Sequence, residues 1–290
     1  MLDTPMHDVP REIVFTRHEG PRGFDWLRQS YALFRRARLP WLLLVLCYYV
    51  VLVAIKLVPI VGGLAAVIMK PVFAVGFLAA AWNQERGVQP SPRHLFQGFR
   101  SNLWALVPLG VVLFLGIALA FVATSLVDGG RLVQIFFDPA PADLDQEAAA
   151  KRLADTLAEP RVQIGMLFGA LCALPTILAL WWAPALVVFQ DASVPAALRT
   201  SLRAALANWR PLLRYGISVF FFAAVVPSLL SLLIALVAPQ SLYPLLAAVI
   251  LLPYTAFFVA TLQISDYVSY RDVFHSGETL APVERAARAA

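Results

Sequence analysis

Along most of this chain, long apolar runs alternate with short polar breaks. A helix of about 20 apolar residues crosses a bilayer core. Runs near that length occur at 41–58, 60–82, 103–127, 162–189, 215–237 and 243–264, so the pattern predicts about six membrane-spanning helices. Only Leu57-Val58-Pro59 separates the first two, and Ala238-Pro239-Gln240-Ser241 the last two. Both pairs are therefore expected as antiparallel hairpins. The ambiguous stretch 128–137 and the long fourth run leave room for five to seven spans. The middle pair is split by an outer excursion at 128–161. Within it 143–159 reads as a helix, with Glu147 four positions before Lys151 and Pro160 as its end. Ile135-Phe136-Phe137 is expected to dip into the headgroup layer.

A shorter amphipathic stretch precedes each hairpin. In 23–39, Phe24, Leu27, Tyr31 and Phe34 share one helical face, and Arg28, Arg35, Arg36 and Arg38 fall mostly off it. In 92–102, Leu95, Phe96 and Phe99 oppose Arg93 and Arg100. In 195–210, Leu198, Leu202, Leu206 and Trp209 line up, while Arg199, Arg203, Arg210 and Arg214 keep a helical spacing of their own. Each stretch runs into a tryptophan expected at the membrane border: Trp41, Trp104, Trp209. The second span of each hairpin carries proline (Pro71; Pro175 and Pro184; Pro253), then a polar step (Asn83-Gln84-Glu85; Gln190-Asp191; Ser265-Asp266). The chain thus reads as all-α, in three pseudo-repeats of interfacial helix, span and proline-containing span. A polar tail at 1–22 and another at 276–290 flank a single transmembrane domain at 23–275.

Composition excludes a soluble domain. Of 290 residues 60% are hydrophobic and 14% charged, against about 25% charged in soluble proteins. The mean hydropathy is +0.73. Cys47 and Cys172 lie inside apolar runs and read as small packed side chains without a disulfide. The first 40 residues hold no apolar core of a signal peptide, so insertion is expected to start from an internal helix. With six spans, seventeen of the 23 lysines and arginines fall on the side of both termini. The positive-inside rule then places both termini in the cytoplasm and the chain in a bacterial inner membrane. The pI near 9.5 does not point to nucleic acid, because the arginines interleave with lipid-facing Leu and Trp.

Catalytic and metal-binding motifs are missing from the sequence, so no enzymatic activity and no cofactor is expected. His7, His18, His94 and His275 lie outside the apolar runs, with no metal-ligand partner at helical spacing. No Asp, Glu or His falls deep within a run, which argues against a proton relay. Lys70, beside Pro71 in the second run, is the exception. It reads either as an anion site at a broken helix or as a lysine whose stem snorkels to the interface; Lys56, near the outer turn, reads as interfacial. The prolines Pro71, Pro108, Pro175, Pro184, Pro227 and Pro253 are expected to break or kink helices. Gly62-Gly63 and the pair Gly165, Gly169 are expected at close helix contacts. Trp181-Trp182 is expected mid-span, filling the core.

Several stretches resemble a family of proteobacterial integral membrane proteins of unknown function: Trp26-Leu27, Leu33-Phe34, Pro40-Trp41, Gly62-Gly63 with Lys70-Pro71, Trp182-Ala183-Pro184-Ala185-Leu186-Val187, and 204–209. The resemblance covers about 22–275. It implies a six-span inner-membrane protein and no assigned activity. The layout is more loosely similar to the membrane domain fused to some glycerophosphodiester phosphodiesterases, whose catalytic domain is absent here, and more loosely still to bacterial sulfate permeases. Two functions are weighed. In the first, Arg28, Arg35, Arg36, Arg38, Arg93, Arg100, Arg199, Arg203, Arg210 and Arg214 contact anionic lipid, or a membrane-protein partner or second copy. In the second, Lys70 and the broken helices make a permease or channel for a small anion.

Overall fold

In lipid every backbone N–H and C=O has to be satisfied within the protein, which favours helix wherever the chain is apolar. The computed structural model describes residues 13–59, 61–137 and 146–275, and among the described residues there is no strand. Helix α1 (Arg22–Arg36) leads into α2 (Arg38–Lys56). Next come α3 (Val61–Ile68) and α4 (Lys70–Glu85). A 3-10 turn (Pro92–Phe96) and a single turn, α5 (Gln97–Arg100), precede α6 (Leu103–Asp128). On the far side lie α7 (Arg131–Phe137) and α8 (Gln146–Ala158). The chain returns through α9 (Pro160–Leu180) and α10 (Ala183–Phe189) to α11 (Val194–Ala207). It ends in α12 (Trp209–Phe220), a π-helical turn (Phe221–Val225), α13 (Val226–Val237) and α14 (Tyr243–Phe274). The tails at 1–12 and 276–290, His7, and the start of the expected 143–159 helix lie outside the described residues, as do the side chains of Phe136, Phe137 and Glu147.

Among the described residues, five helical segments are long and apolar enough to cross a membrane: Arg38–Lys56, Leu103–Asp128, Pro160–Phe189, Trp209–Val237 and Tyr243–Phe274. A sixth is formed if α3 and α4, bent by 41°, count as one span. The bend falls where Pro71 offers no N–H and its ring crowds the carbonyl of Val67. Antiparallel α6 and α9 form the most extensive helix pair. Their close approach rests on Gly165 and Gly169: a Cβ at Gly169 would sit 2.3 Å from Thr124 Oγ1 and 2.5 Å from the Ala120 carbonyl. Small residues are what let membrane helices approach this closely. Gly62 likewise faces the Ile55 carbonyl, whereas Gly63 faces open space.

Two other irregularities have an identifiable cause. Between α9 and α10 the Ser201 hydroxyl from α11 is inserted into the ladder. It accepts from the Trp182 amide at 3.1 Å and donates to the Leu178 carbonyl at 3.0 Å, bridging a broken i to i−4 bond. An inserted side chain of this kind is a recognised origin of helix kinks. In the π turn the register slips by one, and Val226 donates to Phe221. Pro227, next in that register, has no N–H, and the Tyr254 hydroxyl of α14 donates to the Phe222 carbonyl instead.

Two expectations need correcting and two are refined. Trp41, expected at the membrane border, lies at the start of α2 but is fully buried among the helices, donating its indole N–H to Gln84 Oε1 at 2.7 Å. Helix α14 does not stop near 264; it runs to Phe274, and its added turns hold buried Tyr267, Tyr270, Val273 and Phe274. The stretch 92–102 is not one helix, because Pro92 starts a 3-10 turn and Ser101 breaks off α5. Trp181-Trp182 lies within the Pro160–Phe189 segment as expected, at the break between α9 and α10, and Trp182 is buried in the core, edge-on to Phe274.

Candidate functional site

The helix ends at one side of the bundle are tied to each other by polar side chains. Gln84, at the end of α4, accepts from Trp41 and donates to the Leu33 carbonyl at 2.8 Å. Glu85 accepts from Tyr267 at 2.6 Å and pairs with Arg271, both on α14. Arg271 also donates to Gln29 of α1 at 2.7 Å. Trp82 of α4 stacks on Phe189 of α10 at 5.2 Å, and Phe189 meets Tyr270 of α14 at 5.7 Å. Gln190 reaches the Tyr270 hydroxyl at 3.2 Å, where His275 also lies at 3.0 Å.

Asp272 is the most heavily used group at this end. Its carboxylate, 7% exposed, accepts from Arg22 at 2.6 and 2.8 Å and from the Trp26 indole at 2.8 Å. The hydrogen bond to Asp272 raises the Arg22 pKa above its already high ordinary value, against the weaker opposing effect of burial. His18 closes the cluster: its amide donates to Asn208 Oδ1 at 2.8 Å, and its ring lies 2.9 Å from the Asp272 carbonyl. Asn208 donates in turn to the Thr16 carbonyl at 3.0 Å, and the Thr16 amide donates to the Val273 carbonyl at 2.7 Å. Thr16 and His18, within the expected polar tail at 1–22, thus anchor it to the end of α14.

None of this network was among the expected site residues, because hydropathy falls at Ser265-Asp266 and seemed to close the helix. One signal was available: no Gly or Pro occurs between Pro253 and Gly277 to stop it.

The three amphipathic segments all pack on this end. Helix α1 lies along α14 and α12, the 92–100 segment on α4, and α11 on α9 and α10. Glycine allows the tightest of these contacts. A Cβ at Gly23 would sit 2.0 Å from the Pro211 carbonyl, and one at Gly98 2.1 Å from the Val72 carbonyl.

The packed faces differ from those read in the sequence. In α11 they are Ala197, Ser201, Ala204 and Ala205, while Leu206 and Trp209 are exposed. In α1, Trp26, Ser30 and Leu33 are packed with Leu27 and Phe34, while Phe24 and Tyr31 are exposed. Of Leu95, Phe96 and Phe99, only Leu95 is buried. The physical reason is the solvent. Next to lipid, large apolar side chains gain little from facing protein, and small ones permit close packing.

All ten expected contact arginines, Arg28, Arg35, Arg36, Arg38, Arg93, Arg100, Arg199, Arg203, Arg210 and Arg214, are exposed. Among the described residues none of them sits in an ion pair. Arg210 lies over the Trp209 ring at 5.4 Å and Arg35 over Tyr31 at 5.8 Å. Trp104, at the start of α6, is 86% exposed. Lys70 is exposed at the bend between α3 and α4. It lines neither of two apolar grooves of the bundle. One groove, about 540 Å³, lies between α9, α11 and α12; the other, about 380 Å³, lies between α1, the π turn and α14.

Long apolar helices joined at a polar, arginine-bearing end define a polytopic helical membrane protein. A probable inner membrane protein of Burkholderia thailandensis is 31% identical over 265 residues, covering 90% of this chain and 93% of that protein. The chain belongs to the same family of inner membrane proteins. No protein-family model matches it, and no solved structure does.

Proposed function

We propose that this protein is a non-enzymatic organiser of anionic lipid, acting through its arginine-rich segments at the cytoplasmic leaflet. The observation that carries the reading is the state of the ten arginines. They are spread over three segments at one end of the bundle, exposed and, among the described residues, in no ion pair, whereas Arg22 and Arg271 of the same end are held by carboxylates. Each cation near an anionic surface contributes about 1 kcal/mol. Exposed Trp104 and Trp209 beside them suit a headgroup layer.

The charge asymmetry of the sequence supports placing this end, and both termini, in the cytoplasm. The order of packing supports a threefold plan. Each amphipathic segment rests on the second span of the hairpin before it, and α1 rests on the last, α14. A membrane-protein partner or a second copy of the chain would meet the same arginine surface. Lys70, exposed at a bend and outside both grooves, gives the anion-permease reading no comparable support.

The test is lipid retention by the full-length protein in native mass spectrometry. Replacing Arg199, Arg203, Arg210 and Arg214 together with Gln is expected to reduce the number of anionic lipids retained. Retention equal to wild type would overturn the reading.

A further inference from the structure

We propose that the groove between α1, the π turn and α14 is a specific site for one anionic phospholipid, its acyl chain in the groove and its phosphate on Arg28. The proposal deepens the lipid-binding reading above and rests on it.

The groove, about 380 Å³, falls within the range of small-molecule sites, about 300–1,000 Å³. Its walls include Phe24, Tyr31, Phe222, Val226, Tyr254 and Phe258. Phe24 and Tyr31 are bulky and exposed, although Tyr31 rests one edge on Phe257. Two hydroxyls of the lining are already used: that of Tyr254 by the Phe222 carbonyl, and that of Thr261 by the Phe257 carbonyl. Arg28 is the charged residue among the described lining, and it is exposed and in no ion pair among the described residues. An apolar trough with an exposed cation in its lining complements a lipid tail joined to a phosphate.

The direction of the groove fits as well. Helix α1 runs back along α14, from the Arg22–Asp272 pair to Tyr31 and Phe34 against Phe257. Arg28 is therefore nearer the arginine-bearing end than Phe222 and Tyr254 are. From Thr261 to Tyr254 the helix rise is about 10 Å, within the roughly 15 Å hydrocarbon depth of one leaflet. The deep wall is the π turn itself, and π-bulges are frequent at functional sites. Here the slipped register brings a backbone carbonyl into the wall, and Tyr254 removes its polarity.

The experiment uses the full-length protein, delipidated in mild detergent and offered equal phosphatidylglycerol and phosphatidylethanolamine. Native mass spectrometry counts the adducts that survive activation. Wild type is expected to keep one phosphatidylglycerol most strongly. Arg28→Gln should weaken that adduct about fivefold, the loss of one cation near a phosphate, and Val226→Trp should remove it by filling the groove. A wild-type adduct in either variant would overturn the proposal.

A second measurement needs no variant. Phosphatidylglycerol with a photoreactive acyl tail should label peptides containing 222–226 and 254–261; labelling confined to other peptides would also overturn it. The variant with Gln at 199, 203, 210 and 214 separates the two readings. It should shed other anionic lipids and keep this one. If it sheds none while Arg28→Gln acts, the broad reading fails and the groove stands.

Discussion

Arg22 and Asp272, 250 residues apart in the chain, meet in a two-point contact: Nη2 donates to Oδ1 at 2.6 Å and Nε to Oδ2 at 2.8 Å. The Trp26 indole shares Oδ2 at 2.8 Å. The first amphipathic helix is thereby fixed to the last turns of the last span, and the two ends of the described fold hold each other. Removing a buried partner of such a pair is costly because the remaining groups lose their hydrogen bonds.

Asp272→Ala orphans the buried Trp26 N–H and one half-exposed guanidinium. A loss of about 3 kcal/mol is expected, read as a lower denaturant midpoint in mild detergent. Arg22→Gln, at a side chain 42% exposed, should cost only about 1 kcal/mol. Equal effects would mean that Asp272 acts through something other than this contact.

Ser201→Ala removes the hydroxyl that bridges Trp182 and Leu178. Both backbone groups then lack a partner beside the α9–α10 break, at an expected cost of about 1–3 kcal/mol. Thermal unfolding checks this; an unchanged midpoint would show that the break is satisfied in another way.

Glycine substitutions should separate sharply. At Gly110 a Cβ would lie 2.0 Å from the Ile68 carbonyl, so α3 and α6 must part. Gly110→Ala is expected to destabilise by several kcal/mol, as over-packed sites do, about 1–3 and more where backbone has to move. Gly63→Ala, with nothing within 4 Å, should be neutral or slightly stabilising. The comparison is made on denaturation midpoints of the two variants side by side.

Tyr254→Phe leaves the Phe222 carbonyl without its hydroxyl donor. A loss of about 1–2 kcal/mol is expected, since interhelical hydrogen bonds in membranes are worth roughly that at most. Faster amide exchange at 221–226, followed by mass spectrometry, would locate the effect in the π turn. Uniform exchange across α12 and α13 would contradict it.

The apolar runs located the helices because lipid, like a core, demands continuous apolar surface, and the starts of α6 and α9 lie near the expected positions. The same logic misdirected the packed faces. Leu206 and Trp209 form a convincing stripe in the sequence, yet they face outward, and Ala197, Ser201 and Ala204 carry the contact. The extension of α14 was hidden for a related reason. Ser265, Ser269 and Asp272 look like an exit from the membrane, but they are buried and their partners come from α12, the α9–α10 break and α1. Trp182 binds Ser269 and Tyr215 binds Ser265 across 87 and 50 positions. Pairings at that distance have no local pattern. The exposed arginines were readable because their spacing is helical and their position outside the apolar runs of the sequence is local.

The lipid-organising account is tested by the composition of the lipid shell around the protein in a bilayer. Spin-labelled phosphatidylglycerol and phosphatidylcholine, compared at low and high salt, report how far the boundary is enriched in anionic lipid. The account predicts enrichment around wild type that falls as salt screens the charges, and its loss when Arg35, Arg36, Arg93, Arg100, Arg199 and Arg203 are replaced together by Gln. A boundary shell without enrichment, or one that the six replacements leave unchanged, would contradict it.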